Sequence, residues 1–242
     1  MVKSLLFQKF INQLTHSAVH FFYPPQCLHC GDLIEHNQPL FCPPCTTLLD
    51  ILNPKERCPT CFEAIKGNKC PKCIHGEQIV TKIGAVFEYV GPAASLIKKL
   101  KYGNQPHLAE GAGAFMVAQF VELNWPMPDA IIPVPLSFTH WIERGYNQSY
   151  LLAHEMSRLM QVPVWDALKR HSGDYSQAGL RLEQRKNLSG NRFKINKEYP
   201  FEDKKLLIVD DVMTSGTTIR RCAEVLSERC PSKLYALTFC RT

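Results

Sequence analysis

The chain's most concentrated apolar run is Leu206 to Val209, and it ends on two carboxylates, Asp210 and Asp211. A short continuous run of this kind predicts a buried strand. Beyond a polar turn, Ile219, Cys222, Ala223 and Leu226 recur at the i, i+3, i+4, i+7 spacing of a helix that opens at Thr217. Upstream, the pattern predicts a strand over 81–90 and a helix over 92–102 with Leu96, Ile97 and Leu100 as its apolar positions. A second helix is predicted over 109–123, and a short strand over 130–134 that runs into a loop. A helix carrying Leu151, Leu152, Met156 and Leu159 follows, then a short strand over 163–167 and a closing strand over 233–240.

Two stretches stand outside this alternation. Residues 1–23 carry Leu6, Phe10, Ile11, Leu14 and Phe22 at spacings that suit an amphipathic helix, which Pro24 and Pro25 end. It is expected to pack on a neighbouring module, because no apolar run approaches the roughly 20 residues of a membrane span. Neither the apolar core nor the cleavage site of a signal peptide is clear. Residues 170–193 hold few large apolar side chains and many donors, among them Gln177, Arg181, Arg185, Lys186, Asn187 and Arg192. Bracketed by strands, so long a cationic loop predicts a lid.

Cysteine usage redraws the first third of the chain. Of eleven cysteines, eight fall in four C-x-x-C pairs: Cys27 and Cys30, Cys42 and Cys45, Cys58 and Cys61, Cys70 and Cys73. This is metal-ligand spacing rather than a disulfide framework, and it points to a reducing cytoplasm. Two pairs close on one tetrahedral zinc. Sequential pairing, 27/30/42/45 and 58/61/70/73, is expected, with a cross-braced arrangement as the alternative. A module this small depends on its metal to fold. Composition shifts after residue 78, so the expected domains are 1–78, a helix plus a double zinc ribbon, and 79–242. Cys222, Cys230 and Cys240 are unpaired by spacing and expected to be buried or idle.

The formal charge of +6 suggests nucleic acid at first sight. A zinc held by four thiolates carries about −2, so two such sites bring the chain to about +2. Basic and acidic side chains nearly balance in residues 1–78, which argues against a strong nonspecific DNA clamp there. With 45% hydrophobic and 21% charged residues the composition is that of a soluble globular protein.

The chemistry concentrates after the buried strand. The first amides of a helix lack internal partners and lie at its positive end, so they hold an anion. Gly216 allows a close backbone approach, and Thr214, Ser215, Thr217 and Thr218 add hydroxyl donors. Two acids beside a phosphate cradle repel each other unless a ligand needs both. A ribose 5-phosphate does, through its vicinal hydroxyls. The sequence LLIVDDVMTSGTT resembles the binding motif for phosphoribosyl pyrophosphate (PRPP) of type I phosphoribosyltransferases. The resemblance implies that Asp210 and Asp211 hold the ribose hydroxyls while Met213, Thr214, Ser215, Gly216, Thr217 and Thr218 hold the 5-phosphate.

The wider set of motifs, FYPPQCLHCG, IKKLKYGN, PVPLS, RGYNQS, RKNLSGNRF and LLIVDDVMTSGTT, resembles the ComF family of phosphoribosyltransferase-like competence proteins over nearly the whole chain. The chain departs at FTHWIE, between PVPLS and RGYNQS, where such proteins commonly carry extra basic residues. The resemblance implies an α/β fold of the type I phosphoribosyltransferase kind, a mostly parallel sheet flanked by helices with a small N-terminal zinc-ribbon module. It implies two structural Zn2+, Mg2+ bound with PRPP, and a pyrophosphate neutralised by Arg144, Arg181 and Arg185. Its partners would be PRPP or a nucleotide, single-stranded DNA and competence DNA-processing proteins. Either a pentosyl-transferring enzyme or a noncatalytic PRPP-sensing adaptor fits this pattern. DNA contacts are expected at Lys98, Lys99 and Lys101 or in the 181–192 loop, with Tyr102 and Tyr175 the nearest aromatic residues.

Overall fold

The computed structural model describes residues 25–35, 40–65, 70, 73, 79–170 and 193–242. The predicted helix over 1–23 and the lid residues 171–192 lie outside them. In chain order the elements are α1 (Pro43–Thr46), β1 (Lys82–Glu88), α2 (Gly91–Tyr102), α3 (Leu108–Glu122), β2 (Ala130–Pro133) and α4 (Phe138–Arg144). They continue with α5 (Gln148–Met160), β3 (Leu168–Arg170), β4 (Phe193–Ile195), β5 (Lys205–Met213), α6 (Thr217–Ser227) and β6 (Lys233–Arg241).

Four strands make a parallel sheet in the order β1-β6-β5-β2. Its centre is the predicted apolar run: Leu206, Leu207, Ile208 and Val209 are all fully buried. Burying each such side chain contributes about 1.5–3 kcal/mol. Successive side chains alternate between the two faces of a strand. Leu206 and Ile208 pack with Ala130, Ile132 and the apolar stripe of α6, Ile219, Cys222 and Ala223. Helices α3 and α5 pack on each other, α3 against β1 and β6, α5 against β5 and β2. β3 and β4 form a separate antiparallel pair.

Three expectations about the elements change. The predicted strand over 163–167 is reduced to one bridge, Val164 beside Ile131. Pro163 accepts from Ile131 but has no N–H to return, and the chain pairs instead at 168–170. FTHWIER, predicted as loop, is a helix, with Ser137 Oγ accepting from the His140 N–H and Gly145 closing it at φ +75°. Finally, β5 runs past the two acids to Met213, because β6 continues beside it, with Asp210 opposite Thr238 and Met213 opposite Arg241.

By compactness the chain divides into residues 1–50 and 51–242, whereas composition shifts at 78. The second cysteine pairs therefore belong with the sheet. The Leu52 N–H donates to Val86 O and the Ile83 N–H to Thr60 O, which ties residues 52–60 to β1. Phe62 is buried with Leu52 and Ala85. Within the described residues no helix is long and apolar enough to cross a membrane.

Candidate functional site

Each C-x-x-C turn is built from local backbone bonds. The Gly31 N–H donates to Cys27 O at 3.0 Å and the Phe62 N–H to Cys58 O at 2.9 Å. Burial pushes the Cys27 and Cys58 thiols up, but backbone amides of each turn outweigh it and bring them down to about 6 and about 7. The eight sulfurs gather into two groups, Cys27/Cys30/Cys42/Cys45 and Cys58/Cys61/Cys70/Cys73, each within 4.8 Å. This is the sequential arrangement, not the cross-braced one. The Cys30–Cys42 and Cys58–Cys73 sulfurs lie 3.6 and 3.7 Å apart. A tetrahedral zinc with bonds of about 2.3 Å sets its ligands about 3.8 Å apart, so both donor sets fit that ion. Cys222 and Cys240 are buried in the core and Cys230 is exposed.

The second site forms at the carboxyl end of β5. Alternation along the strand separates the two carboxylates. Asp210 Oδ1 accepts from Ser149 Oγ at 2.8 Å and from the Asp211 N–H at 2.9 Å. Asp211 is buried, and its Oδ2 meets Lys101 Nζ at 2.9 Å. Burial, and then the neighbouring Asp211, push the Asp210 carboxyl up to about 7, against the lowering effect of Ser149 and Lys101. Asp210 Oδ2 and Asp211 Oδ1 have no partner among the described residues.

Three segments converge to build this end. Lys101 and Tyr102 close α2. Asn147 caps α5 by accepting from the Ser149 N–H, which sets the Ser149 side chain toward Asp210. The Asn147 amide donates to Val134 O, and Tyr146 Oη donates to Leu100 O at 2.7 Å. Arg144 lies over the Tyr102 ring, 4.9 Å from its centroid, and donates to Tyr102 Oη at 3.2 Å. Its buried Nε has no partner among the described residues.

The expected phosphate turn divides in two. Met213 is a strand residue whose side chain is buried in the core beneath the turn rather than presented to a ligand. Thr214, Ser215, Thr217 and Thr218 are exposed, with the Ser215 and Thr217 hydroxyls 2.8 Å apart. Gly216 stands at the N-cap of α6 with φ +75°. A Cβ there would meet only Met213 Sδ, at 3.7 Å, so the left-handed backbone, not lack of space, asks for glycine.

Arg144 thus joins Asp210 and Asp211 at one end of the sheet, while Arg181 and Arg185 lie outside the described residues. Two partners were missed from the sequence. Lys101 was grouped with Lys98 and Lys99 as a charge run, but it falls four residues after buried Ile97 and eight after buried Ala93, on the apolar stripe. Ser149 lies in RGYNQS, where Arg144 is the one charged residue and nothing local marks the serine as a carboxylate partner.

A phosphoribosyl transferase domain model matches residues 147–242, from the α5 cap through β5, the hydroxyl turn and α6. Competence protein F of Haemophilus influenzae is 27% identical over 216 residues, covering 85% of this chain and 92% of its own. DNA utilization protein YhgH of Escherichia coli strain K12 is 29% identical over 197 residues, covering 78% and 85%. Competence protein ComFC of Streptococcus pneumoniae is 24% identical over 229 residues, covering 84% and 94%.

Proposed function

This chain belongs to the ComF family, and on that premise we propose that the end of β5 binds PRPP or a related nucleotide together with Mg2+. The supporting observation is the division of labour at the acid pair. Each carboxylate spends one oxygen on the protein and keeps the other unengaged, beside the hydroxyl turn of an 11-residue helix. The two unengaged acceptors, on consecutive residues at the strand's end, would each take one of the vicinal hydroxyls of a ribose. Thr214 to Thr218 and the first amides of α6 would take the 5-phosphate.

In a transfer reaction the C1–pyrophosphate bond breaks as a nitrogen nucleophile attacks C1, and negative charge grows on the leaving oxygens. Arg144, with a donor still unspent, would neutralise that charge; Arg181 and Arg185 are assigned the same role by resemblance. The donor set also fits Mg2+, a hard cation held by a carboxylate or two plus substrate phosphates. Asp210 and Asp211 are the carboxylates that would hold it, and the ion when bound would offset pyrophosphate charge. Ser149 and Lys101 keep both carboxylates oriented. The eight cysteines would hold two structural Zn2+, which metal analysis of reduced, chelator-free protein measures directly.

The names of the relatives, competence and DNA utilization, support a role for this chain in handling DNA, alone or with DNA-processing partners; that the DNA is single-stranded rests on the family resemblance, and that the compartment is the cytoplasm rests on the cysteine usage. PRPP with Mg2+ should raise the melting temperature, because a ligand held only by the native state stabilises it. No shift at saturating ligand contradicts the binding assignment. Release of pyrophosphate with any common base identifies a transferase; binding without release identifies a PRPP-sensing adaptor.

A further inference from the structure

Helix α4 is built the wrong way round for a helix of a folded domain. Phe138, Trp141 and Ile142 are 59%, 54% and 62% exposed, and no residue of the helix is buried. The Phe138 and Trp141 rings, one helical turn apart, stack with an interplanar angle of 13° and centroids 6.4 Å apart. They line an open cleft of about 670 Å3, with Tyr150 on one side and Lys169 and Arg170 on the other.

The opposite wall carries an imbalance of charge. In the β3–β4 pair Lys169 stands directly across from Lys194, and like charges in that position destabilise a sheet. Both are exposed, and neither has an anionic partner among the described residues. Arg170 lies over the Phe193 ring, and Asp166, the acid on this wall, is paired with Lys197 at 3.9 Å. The two lysines lack an anion among the described residues, and the paired rings remain more than half exposed. A peptide offers carboxylates and rings only where its sequence happens to place them. A single strand of nucleic acid supplies both, with bases for the rings and phosphates for the lysines.

We propose that the cleft between α4 and the β3–β4 pair binds single-stranded nucleic acid, its bases stacking on Phe138 and Trp141 and its phosphates meeting Lys169 in the cleft and Lys194 across the ladder from it. The proposal rests on the DNA-handling half of the function given above and supplies its surface. Of the residues expected from sequence, Lys101 is held by Asp211 and Tyr102 lies under Arg144, Lys98 and Lys99 are exposed, and the 181–192 loop lies outside the described residues.

The test is fluorescence anisotropy of labelled DNA and RNA homopolymers of about 15 nucleotides, titrated with the zinc-loaded full chain. Phe138→Ala with Trp141→Ala should weaken binding at least about tenfold, since stacking contributes about 1–3 kcal/mol per base. The melting temperature and the PRPP-induced shift should stay near parental values, because both rings are more than half exposed and neither residue belongs to the acid-pair site. Lys169→Gln with Lys194→Gln should flatten the salt dependence by about 1.4 in slope, at about 0.7 per phosphate contact. Lys98→Gln with Lys99→Gln removes the same charge elsewhere and should leave affinity unchanged. Equal weakening for DNA and RNA supports backbone-and-base binding blind to the 2′-hydroxyl, and a preference names the source. If the aromatic variant binds as tightly as the parent, or a mononucleotide binds as tightly as the oligomer, the surface is wrongly assigned. If the parent binds neither homopolymer, the DNA-handling reading fails with it, while the PRPP shift still reports on the acid pair.

Discussion

The turn at Cys27 and the turn at Cys58 are the same piece of backbone used for different purposes. In each, the first cysteine's N–H donates to the residue five positions on, Asp32 or Glu63, and the residue four positions on returns a bond to that cysteine. Each fourth residue is left-handed, Gly31 at φ +81° and Phe62 at φ +60°. Gly31 is exposed and a Cβ there would meet nothing within 4 Å. Phe62 is buried, and its carbonyl accepts from Arg241 Nη1. The same guanidinium reaches Cys61 O at 3.3 Å and Glu63 Oε2 at 2.7 Å.

Phenylalanine in a left-handed conformation costs about 1–2 kcal/mol, and it persists where burial and a buried arginine offset that cost. The first turn therefore shapes a metal site within residues 1–50, and the second also fastens the sheet. Arg241 lies opposite Met213 in the sheet, and the Thr242 N–H donates to Met213 O. Loss of the second cluster should consequently reach the turn that follows β5, and loss of the first should not.

Cys58→Ser sharpens this contrast most. It should lose one zinc equivalent, lower the main melting transition by well over the roughly 10 °C that a loss of about 3–5 kcal/mol produces in a domain this size, and weaken PRPP binding. Cys27→Ser should also lose one equivalent but leave the main transition and PRPP binding near parental values. Equal effects from the two would erase the distinction. Arg241→Met comes next, because it removes the buried cation that meets Glu63 and two carbonyls. It should cost about 3–5 kcal/mol with both zinc equivalents retained, read as a denaturation midpoint. A change below about 1 kcal/mol would show that Arg241 does not fasten the turn. Gly31→Ala is the smallest, about 1–2 kcal/mol of backbone strain confined to the first turn, seen as weaker zinc retention under chelator with no shift of the main transition.

The acid pair adds a pH signature. Asp210 is held up to about 7 by burial and by Asp211. The folded state therefore keeps a proton that the unfolded state releases above about 4, and this group's contribution to stability falls as pH rises from about 4 to about 7 and is level beyond. Asp210→Asn removes that slope. Its melting temperature relative to the parent should rise between about pH 5 and about pH 8, and a constant difference would show that Asp210 titrates normally.

What the sequence disclosed divides along physical lines. Contiguous signals were legible: the buried run into Asp210 and Asp211, the α6 stripe, the left-handed glycine and the cysteine spacing. Relations across space were not. Nothing local says that Arg241 reaches back to residues 61–63, or that Ser149 and Lys101 divide the two acids between them. α4 escaped for a different reason. A helix with aromatic residues and no buried face lacks the two-sided pattern that marks a packed element, so its existence rests on the Ser137 cap and the Gly145 stop. The boundary at 78 is a change of composition, whereas compactness follows the hydrogen bonds that residues 52–60 make to β1.

Titration calorimetry of PRPP with Mg2+ into the parent and into Asp210→Asn with Asp211→Asn tests the PRPP assignment most directly. The parent should bind one equivalent. The double variant, folded and with both zinc equivalents in place, should bind at least about tenfold more weakly, since each lost bond from a ribose hydroxyl to a charged acceptor is worth about 1.5–3 kcal/mol. Unchanged affinity in the double variant would contradict the assignment of the two carboxylates to the ribose.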